Sequence, residues 1–275
     1  MKQITKLEQY SELLNKYHEQ YPDLIYNHMM LPGEAEHNID LGKLYYREVK
    51  DGVVFSVREK DFCKLYCYLS ENAAPDFPEQ DRPQIIECIY LRGKEDLRVM
   101  KMKEKTAAFG FRQYVKNERR RAAIREEDLI PLETGRIRED LLWTYASEKD
   151  LSAVYGLWKV MDIYNSTIPE KKELKEMAAS GELLTVRKSG RVCGVVRVKQ
   201  ENRRTGSMWL MAVDREFRRQ GIATELYRLS LSVLKERGCT RVIEWCDEKN
   251  HAILKVSGRF DFQPDGTVSE SFIRR

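Results

Sequence analysis

The sequence lacks any apolar run long enough to cross a membrane, which takes about 20 consecutive apolar residues as a helix. The N-terminal stretch MKQITKLEQY also lacks the apolar core of a signal peptide. These two absences predict a cytoplasmic protein with no membrane partner.

Metal-ligating and disulfide-forming patterns are missing as well. The four histidines are scattered, and the six cysteines form no CxxC pair. We therefore predict no metal site and expect reduced, mostly buried thiols. The cysteines are Cys63, Cys67, Cys88, Cys193, Cys239 and Cys246.

The chain has little net charge. Its 48 basic and 44 acidic residues leave a formal charge of +4, which is too small to indicate a nucleic-acid partner. The run Arg119–Arg121 stands close to Glu118, Glu126 and Glu127, so we interpret it as a solvated helix face rather than a nucleic-acid patch. Hydrophobic residues make up 42% of the chain, which supports a folded core.

The most informative stretch is Met208 to Arg228, MWLMAVDREFRRQGIATELYR. An apolar strand pattern leads through a polar connection into a helical pattern that begins near Gly221. The first turn of a helix has free amide groups and favours an anion. Gly221 and Ala223 let a ligand approach the backbone closely, and Arg218 and Arg219 add positive charge. The stretch therefore predicts a phosphate-binding loop.

The second half of the chain alternates strand and helix patterns. Ser147 with Asp150 indicates a helix start, Ser189-Gly190 a tight hairpin, and Gly238 a left-handed helix cap. The predicted elements are strand 143–146, helix 147–161, a helix with Pro169 in its first turn through Ala179, strands 183–187, 192–198 and 207–213, helix 221–237, strand 241–246, helix 250–257, and a hairpin of 259–262 with 269–273.

This order, with Arg218-x-x-Gly221-x-Ala223 at the third helix, resembles the GNAT superfamily of N-acetyltransferases from about Leu142 to Arg275. Ala212-Val213-Asp214 precedes the motif at the family's distance, and Asn250 follows the next strand. The resemblance implies an α/β fold with a mixed sheet, the GNAT acyl-CoA N-acyltransferase fold.

The resemblance implies acetyl-CoA as the cosubstrate. In the family, the pantetheine arm lies along the strand before the loop, and the pyrophosphate lies on the loop and helix start. The residues that would bind it here are Met211, Ala212, Val213, Arg218, Arg219, Gln220, Gly221, Ile222, Ala223, Thr224 and Asn250. A backbone N–H of Met211 or Val213 would stabilise the oxyanion.

The sequence departs from the family at the proton-transfer positions. The family's tyrosine, which protonates the CoA thiolate, falls at Ser257, and the glutamate base of some members falls at Ser207. Glu244, Asp247 and Cys246 remain candidates for catalysis, although a structural role is the simpler interpretation of each. Following the family, Tyr164 and Trp158 would line the acceptor site. For Trp158, a place in the core is the alternative.

The first half follows a related order of elements. A helix over 3–19, breaks at Pro22 and 31–33, a hairpin at Asp51-Gly52, a strand over 62–69, a proline loop over 72–83, a strand over 85–91, a helix over 94–105 and a strand from 109 to 116 are predicted. Because this half has no Arg-x-x-Gly-x-Ala motif, we predict a degenerate GNAT-like domain without a CoA site over 1–120, a linker over 121–140 and a catalytic domain over 141–275.

The sequence thus predicts an acetyl-CoA-dependent N-acetyltransferase acting on an amine of a small molecule, peptide or protein, as a monomer or homodimer. A non-catalytic acyl-CoA-binding regulator is the alternative, because the family's tyrosine and glutamate are missing. A transferase that uses another acyl group or an aminoacyl-tRNA donor on a related fold is a second alternative, and the intact loop motif argues against the RNA donor.

Overall fold

Two compact units make up the chain in this computed structural model, which describes residues 1–73, 77 and 81–275. The first unit comprises Met1–Asn117 and Gly266–Arg275, and the second comprises Glu118–Asp265. The sequence-based division placed the linker over 121–140 and kept 141–275 together. In the structure, 121–140 lies within the second unit and 266–275 within the first.

The described residues of the first unit form a sheet and three α-helices. Its elements are β1 (Lys2–Gln3), α1 (Leu7–Gln20), β2 (Ile25–Tyr26), α2 (Pro32–Asp40), β3 (Leu44–Val49), β4 (Gly52–Arg58), β5 (Cys63–Leu69), β6 (Gln84–Leu91), α3 (Leu97–Thr106), the start of β7 (Arg112–Ala123) and most of β14 (Gln263–Arg274). The strand order is β1-β3-β4-β5-β6-β14, and β2 pairs with β5.

Two local predictions for this unit have different outcomes. The Asp51-Gly52 hairpin is confirmed, with Asp51 at a φ of 62°. The break predicted around Pro32 is wrong, because α2 begins at that residue. Proline is well tolerated in a first helical turn, where its missing N–H has no intrahelical partner. The proline loop predicted over 72–83 lies partly outside the described residues.

The second unit is also a sheet with helices, in the order β7-β13-β12-β11-β10-β9-β8. Its elements are the end of β7, β8 (Arg136–Arg138), β9 (Leu141–Tyr145), α4 (Leu151–Trp158), α5 (Lys171–Ala179), β10 (Leu183–Lys188), β11 (Arg191–Gln200), β12 (Thr205–Val213), α6 (Ile222–Glu236), β13 (Arg241–Asp247) and α7 (His251–Ser257). The ladders from β8 to β12 are antiparallel, and β12 pairs in parallel with β13.

Most local signals of the second half are confirmed. Ser147 and Asp150 form a capping box, and β10 and β11 form the hairpin around Ser189-Gly190. Gly238 ends α6 at a φ of +85°. Pro169 is not in a helix, since α5 begins at Lys171 with Glu170 as its N-cap. The predicted inward face of α6 is buried throughout: Ile222, Leu226, Leu229, Val233 and Leu234.

Two elements at the boundaries between the two units in the sequence were predicted wrongly. Residues 118–123 continue strand β7 instead of forming a solvated helix face. The C-terminal hairpin does not form: Gly258–Phe260 is a 3₁₀ turn, and β14 is one continuous strand. Its Asp265-Gly266 pair makes no turn, because Thr267–Arg274 extends along β6 as an antiparallel partner. Long-range pairing has overridden a local turn signal.

No helix in the part of the chain that the structure describes is long and apolar enough to span a membrane.

Candidate functional site

The loop before α6 contains two residues with positive φ close to the helix start. Gly221 is the N-cap residue at a φ of +80°, and Arg219 has a φ of 62°. Asp214 anchors the other end of the loop: its amide donates to the Cys193 carbonyl at 2.9 Å, and its carboxylate accepts from the Glu216 amide at 3.0 Å. The first amides of α6 therefore face an exposed loop, as an anion site requires.

Basic side chains surround this loop. Arg138 on β8 donates from Nη1 to the Gln220 carbonyl at 3.1 Å, and Lys188 donates to Gln220 Oε1 at 2.8 Å. Arg218 donates to the Val213 carbonyl at 3.2 Å. Arg138 and Lys188 also pair with Asp140, at 2.7 and 2.9 Å, so their charge is partly compensated. The exposed Arg218 and Arg219 add positive charge at the helix start.

Strands β12 and β13 part beside the loop. Their parallel ladder runs from Thr205–Arg241 to Met208–Glu244 and ends there, although the strands continue to Val213 and Asp247. Beyond Met208 the ladder with β13 therefore does not use the backbone of β12, although the Leu210 and Val213 carbonyls accept side-chain hydrogen bonds from Trp158 and Arg218. The GNAT resemblance predicts that the pantetheine arm lies in this gap, which we call the slot.

A bulge shapes β12 at the slot. The register with β11 shifts between Val195 and Arg197, and Leu210 adopts a φ of 51°. The indole Nε1 of Trp158 donates to the Leu210 carbonyl at 2.6 Å. Trp158 is fully buried, so it belongs to the core as the simpler interpretation held, and it also anchors the bulge.

A buried polar network lies where the ladder ends. Glu244 accepts from the Tyr227 hydroxyl at 2.6 Å and from the Ser257 hydroxyl. Arg120 donates from Nε to Ser257 Oγ at 3.3 Å, and the same nitrogen lies 3.9 Å from Glu244 Oε1. Burial raises the pKa of Glu244, and these donors and Cys246 oppose that rise. The structure thus brings Glu244 and Ser257 into one cluster.

The thiol of Cys246 belongs to the same cluster and is inert there. Burial raises its pKa, and the Glu244 carboxyl raises it further. With this raised pKa, Cys246 stays a neutral thiol at ordinary pH. Only a thiolate is an effective nucleophile. The arrangement does not favour Cys246 as a covalent catalyst.

Asp247 and Asn250 lie apart from that network. Side chains alternate along β13, so Trp245 and Asp247 face away from Glu244 and Cys246. Asp247 accepts from the Lys249 amide at 2.9 Å. Asn250 is exposed at the N-cap of α7, where its Oδ1 accepts from the Ile253 amide at 3.3 Å.

Sequence reasoning missed Arg120 and Arg138. The arginine run 119–121 was interpreted as a helix face, yet on a strand its members alternate between two faces. Arg119 pairs with Asp265 at 2.7 Å and lies over the Trp245 ring, whereas Arg120 reaches Ser257. Strand periodicity through 112–123 was the signal that could have separated the two arginines.

The first unit has a parting pair of parallel strands too, and its own chain fills the gap. The β5–β6 ladder runs from Cys63–Gln84 to Leu65–Ile86, and beyond it β2 pairs with β5. Asn27, fully buried, donates from Nδ2 to the carbonyls of Leu65 (3.1 Å) and Glu87 (2.9 Å), and its Oδ1 accepts from the Cys67 amide at 2.7 Å. Asn27 therefore links the two strands across the gap.

Residues 1–73, 77 and 81–275 contain no group of three or more His, Cys, Asp or Glu side chains arranged to hold a metal ion.

Sequence comparison finds similarity in the second unit. Residues 151–262 match the family model described as Acetyltransferase (GNAT) family. N-alpha-acetyltransferase 30 of Schizosaccharomyces pombe is 29% identical over 119 residues, which cover 42% of this chain and 71% of that protein.

Solved structures share the fold over nearly the whole chain. A tandem GNAT protein from the clavulanic acid biosynthesis pathway aligns with 98% of this chain and 94% of its own, at 12% identity and a TM-score of 0.56. A GCN5-related N-acetyltransferase from Sphaerobacter thermophilus aligns with 96% and 91%, at 13% identity and a TM-score of 0.57. Residues 151–262 therefore match the GNAT acetyltransferase family, and the chain as a whole shares its fold with GNAT proteins.

Proposed function

We propose that the chain transfers an acetyl group from acetyl-CoA to a primary amine, and that the α-amine of a peptide or protein N-terminus is the acceptor to test first. The observation that carries the donor assignment is the parting of β12 and β13 at Met208–Glu244, beside a loop that enters α6 through Gly221. The curated relative's name, an N-alpha-acetyltransferase, supports the choice of acceptor.

In this proposal, acetyl-CoA lies along the second unit's slot. The pantetheine amides pair with the backbone of Met211–Val213, and the pyrophosphate lies on Arg218–Thr224. Asn250 contacts the same arm near the start of α7. The exposed Arg218 and Arg219 and the free amides of α6 support this placement, because each favours a bound anion.

The reaction requires a neutral amine. Its nitrogen attacks the thioester carbonyl, the N–C bond forms and the oxyanion accepts a hydrogen bond from a backbone amide of the Leu210 bulge region, Met211 or Val213. The C–S bond then breaks and its electron pair stays on sulfur. The nitrogen loses one proton to solvent, either directly or through Asp247, which lies at the end of β13.

The first test is isothermal titration of the protein with acetyl-CoA. Gly221→Glu should abolish binding, since its carboxylate would stand against the pyrophosphate. Gly238→Glu is the matched control: it has the same kind of positive φ (+85°), at the other end of α6 and with open space around it. No heat at sub-millimolar acetyl-CoA with the unchanged protein, or equal binding by Gly221→Glu, would contradict the donor assignment.

A thiol-release assay tests the acceptor. We expect CoA to appear with peptides that have a free N-terminus and not with the same peptides formylated there. Release with small amines only would reassign the acceptor class.

The non-catalytic acyl-CoA-binding regulator stays a second candidate on one observation. Serines stand at both proton-transfer positions of the family, and both are already engaged: Ser257 with Glu244 and Ser207 with Glu201, at 2.5 Å for the latter. Acetyl-CoA binding without thiol release across the amine panel would favour this candidate.

We also propose that the first unit binds no acyl-CoA. Residues 25–27 already occupy the gap between β5 and β6, and their hydrogen bonds take up the backbone groups that a pantetheine arm would need. One acetyl-CoA per chain is therefore expected in the titration.

A further inference from the structure

The loop before α6 is held from one side by a residue of strand β8. Arg138 donates from Nη1 to the Gln220 carbonyl at 3.1 Å, and a Cβ added at Gly221 would lie 3.5 Å from the same nitrogen. The guanidinium therefore lies against the peptide that joins Gln220 to Gly221. Arg138 precedes residues 151–262, so this contact comes from outside the segment that matches the family model.

Asp140 orients the Arg138 guanidinium. Asp140 Oδ1 accepts from Arg138 Nε at 2.7 Å and Oδ2 accepts from Nη2 at 3.3 Å, while Nη1 donates to the loop. The hydrogen bond from Arg138, with a second from Lys188, lowers the pKa of Asp140 to about 2, so the carboxylate is ionised at neutral pH. A two-point contact of this kind fixes the plane of the guanidinium.

The orientation of the peptide between Gln220 and Gly221 decides which of its polar groups a ligand can reach. In a trans peptide the C=O and N–H bonds point in opposite directions. Because the Gln220 carbonyl points to Arg138, the Gly221 N–H points away from it. Gly221 is exposed, and within the part of the chain that the structure describes its N–H donates to no protein acceptor. This amide is therefore available to a bound anion.

We propose, on the basis of the acetyl-CoA function above, that Arg138 is a positioning residue for the donor: by holding the Gln220 carbonyl, it keeps the Gly221 N–H directed at the pyrophosphate. Without Arg138, the wide range of backbone conformations open to Gly221 lets this peptide turn over. A turned peptide presents its carbonyl oxygen to the phosphate oxygens, which repel it. Loss of Arg138 therefore weakens the binding of acetyl-CoA.

The positive charge of Arg138 offers a different explanation for such a loss, and Asp140 separates the two. Asp140→Ala removes an anion from beside the loop, so a purely electrostatic effect would strengthen the binding of acetyl-CoA. If Arg138 acts by position, the same change weakens binding, because the guanidinium loses the carboxylate that orients it.

Calorimetric titration of the full chain with acetyl-CoA tests the role of Arg138. We expect the dissociation constant to rise about tenfold for Arg138→Met and about threefold for Asp140→Ala. Arg138→Lys should resemble Arg138→Met, since an ammonium group keeps the charge but lacks the fork that pairs with Asp140. Arg136→Met is the control: Arg136 is an exposed arginine on the same strand, and its loss should leave the affinity unchanged.

NMR spectra of the protein with isotope-labelled glycine separate positioning from a general loosening of the second unit. The Gly221 amide signal, identified by its loss in Gly221→Ala, should move downfield on saturation with acetyl-CoA, and should move less in Arg138→Met. Gly206, which lies against Leu234, and Gly238 mark the other end of α6. Their signals should be the same in the ligand-free forms of both proteins. Displacement of their signals by Arg138→Met would show a structural role and defeat the inference.

The titration outcomes are distinct. No binding of acetyl-CoA by the unchanged chain defeats the donor assignment and the role of Arg138 together. Unchanged affinity in Arg138→Met, tighter binding by Asp140→Ala, or an equal loss in Arg136→Met defeats the role of Arg138 and leaves the donor assignment intact. If Arg138→Met fails to fold, Arg138→Lys and Asp140→Ala decide by the same criteria.

Discussion

At the scale of single residues, the site depends on backbone conformations that few side chains adopt. Gly221 has a φ of +80°, and a Cβ there would lie 3.5 Å from Arg138 Nη1. Space is therefore sufficient for a methyl group, and the conformation is what requires glycine. The loop that we assign to the pyrophosphate is thus the position most sensitive to a small substitution.

Gly221→Ala should lower the free energy of unfolding by about 1 kcal/mol and weaken acetyl-CoA binding, because alanine strains at this φ. Urea unfolding and calorimetric titration measure the two effects. Gly156→Ala is the control: Gly156 lies within α4 with nothing within 4 Å of the added Cβ, so we expect a gain of about 0.5–1 kcal/mol. Equal changes in the free energy of unfolding for Gly221→Ala and Gly156→Ala would contradict the requirement for glycine at the φ of position 221.

A second residue-scale prediction concerns Glu87 and acid stability. Burial alone raises the pKa of this carboxyl, but Lys64, at 2.6 Å, lowers it more, to about 2. A depressed carboxyl pKa stabilises the fold above the unfolded value of about 4.3, and that contribution fades as pH falls toward 2. In the unchanged chain, the stabilising contribution of this carboxyl should therefore be lost between about pH 4.3 and pH 2. Glu87→Gln has no such carboxyl, so its stability should not show this loss.

Urea midpoints from pH 5 to pH 2 measure that difference. Glu36→Gln, at an exposed position on α2, should follow the unchanged chain. If Glu87→Gln also follows it through this range, the ion pair with Lys64 does not depress the Glu87 pKa.

At the scale of elements, both units contain a pair of parallel strands that separate, but the gap between the strands differs. In each unit a parallel pair of strands separates after a few paired residues, at Leu65–Ile86 and at Met208–Glu244. The first gap is closed by β2 and Asn27, while β12 has a bulge and a glycine loop beside its gap. Two similar arrangements of strands are therefore filled by the chain's own residues in the first unit and left open in the second.

Asn27→Ala should destabilise the first unit by about 2–4 kcal/mol. The change removes three hydrogen bonds of a fully buried side chain and leaves the carbonyls of Leu65 and Glu87 and the Cys67 amide without that partner. Hydrogen exchange should show faster exchange at β5 and β6. Asn38→Ala is the comparison: its amide bonds within α2, to the Glu34 carbonyl, so the cost should be smaller.

At the scale of the whole molecule, the chain returns to its first unit at the end. Residues Thr267–Arg274 pair with β6, and Phe272 packs in the first unit's core with residues such as Phe111. The C-terminal strand is thus part of the fold of the N-terminal unit, although the sequence suggested that it closes the catalytic domain.

Phe272→Ala should cost about 3–5 kcal/mol, as large-to-small changes in a core do. Because Phe272 belongs to the first unit's core, the hydrogen-exchange rate should increase first at the backbone amides of β4, β5 and β6. Hydrogen exchange resolved by segment checks this order, with Leu229→Ala in the second unit's core as the counterpart. Faster exchange confined to β10–β12 in Phe272→Ala would contradict the assignment of β14 to the first unit.

The sequence by itself determined the fold class, the GNAT resemblance of the second half and the strand–loop–helix stretch from Met208 to Arg228. These rest on local signals: apolar periodicity, a glycine at positive φ and turn residues, which act over a few neighbours. It also nominated Ser257 and Glu244, which the structure brings together. Their catalytic roles remain predictions.

Only the tertiary structure decided which distant residues meet. Arg120 reaches Ser257 across 137 positions of sequence, and Asn27 joins β5 to β6 across 38 and 60. Strand pairing also turned the predicted C-terminal hairpin into one strand. The physical reason is that ladder hydrogen bonds and the burial of polar groups depend on partners far away in sequence, and no local pattern specifies those partners.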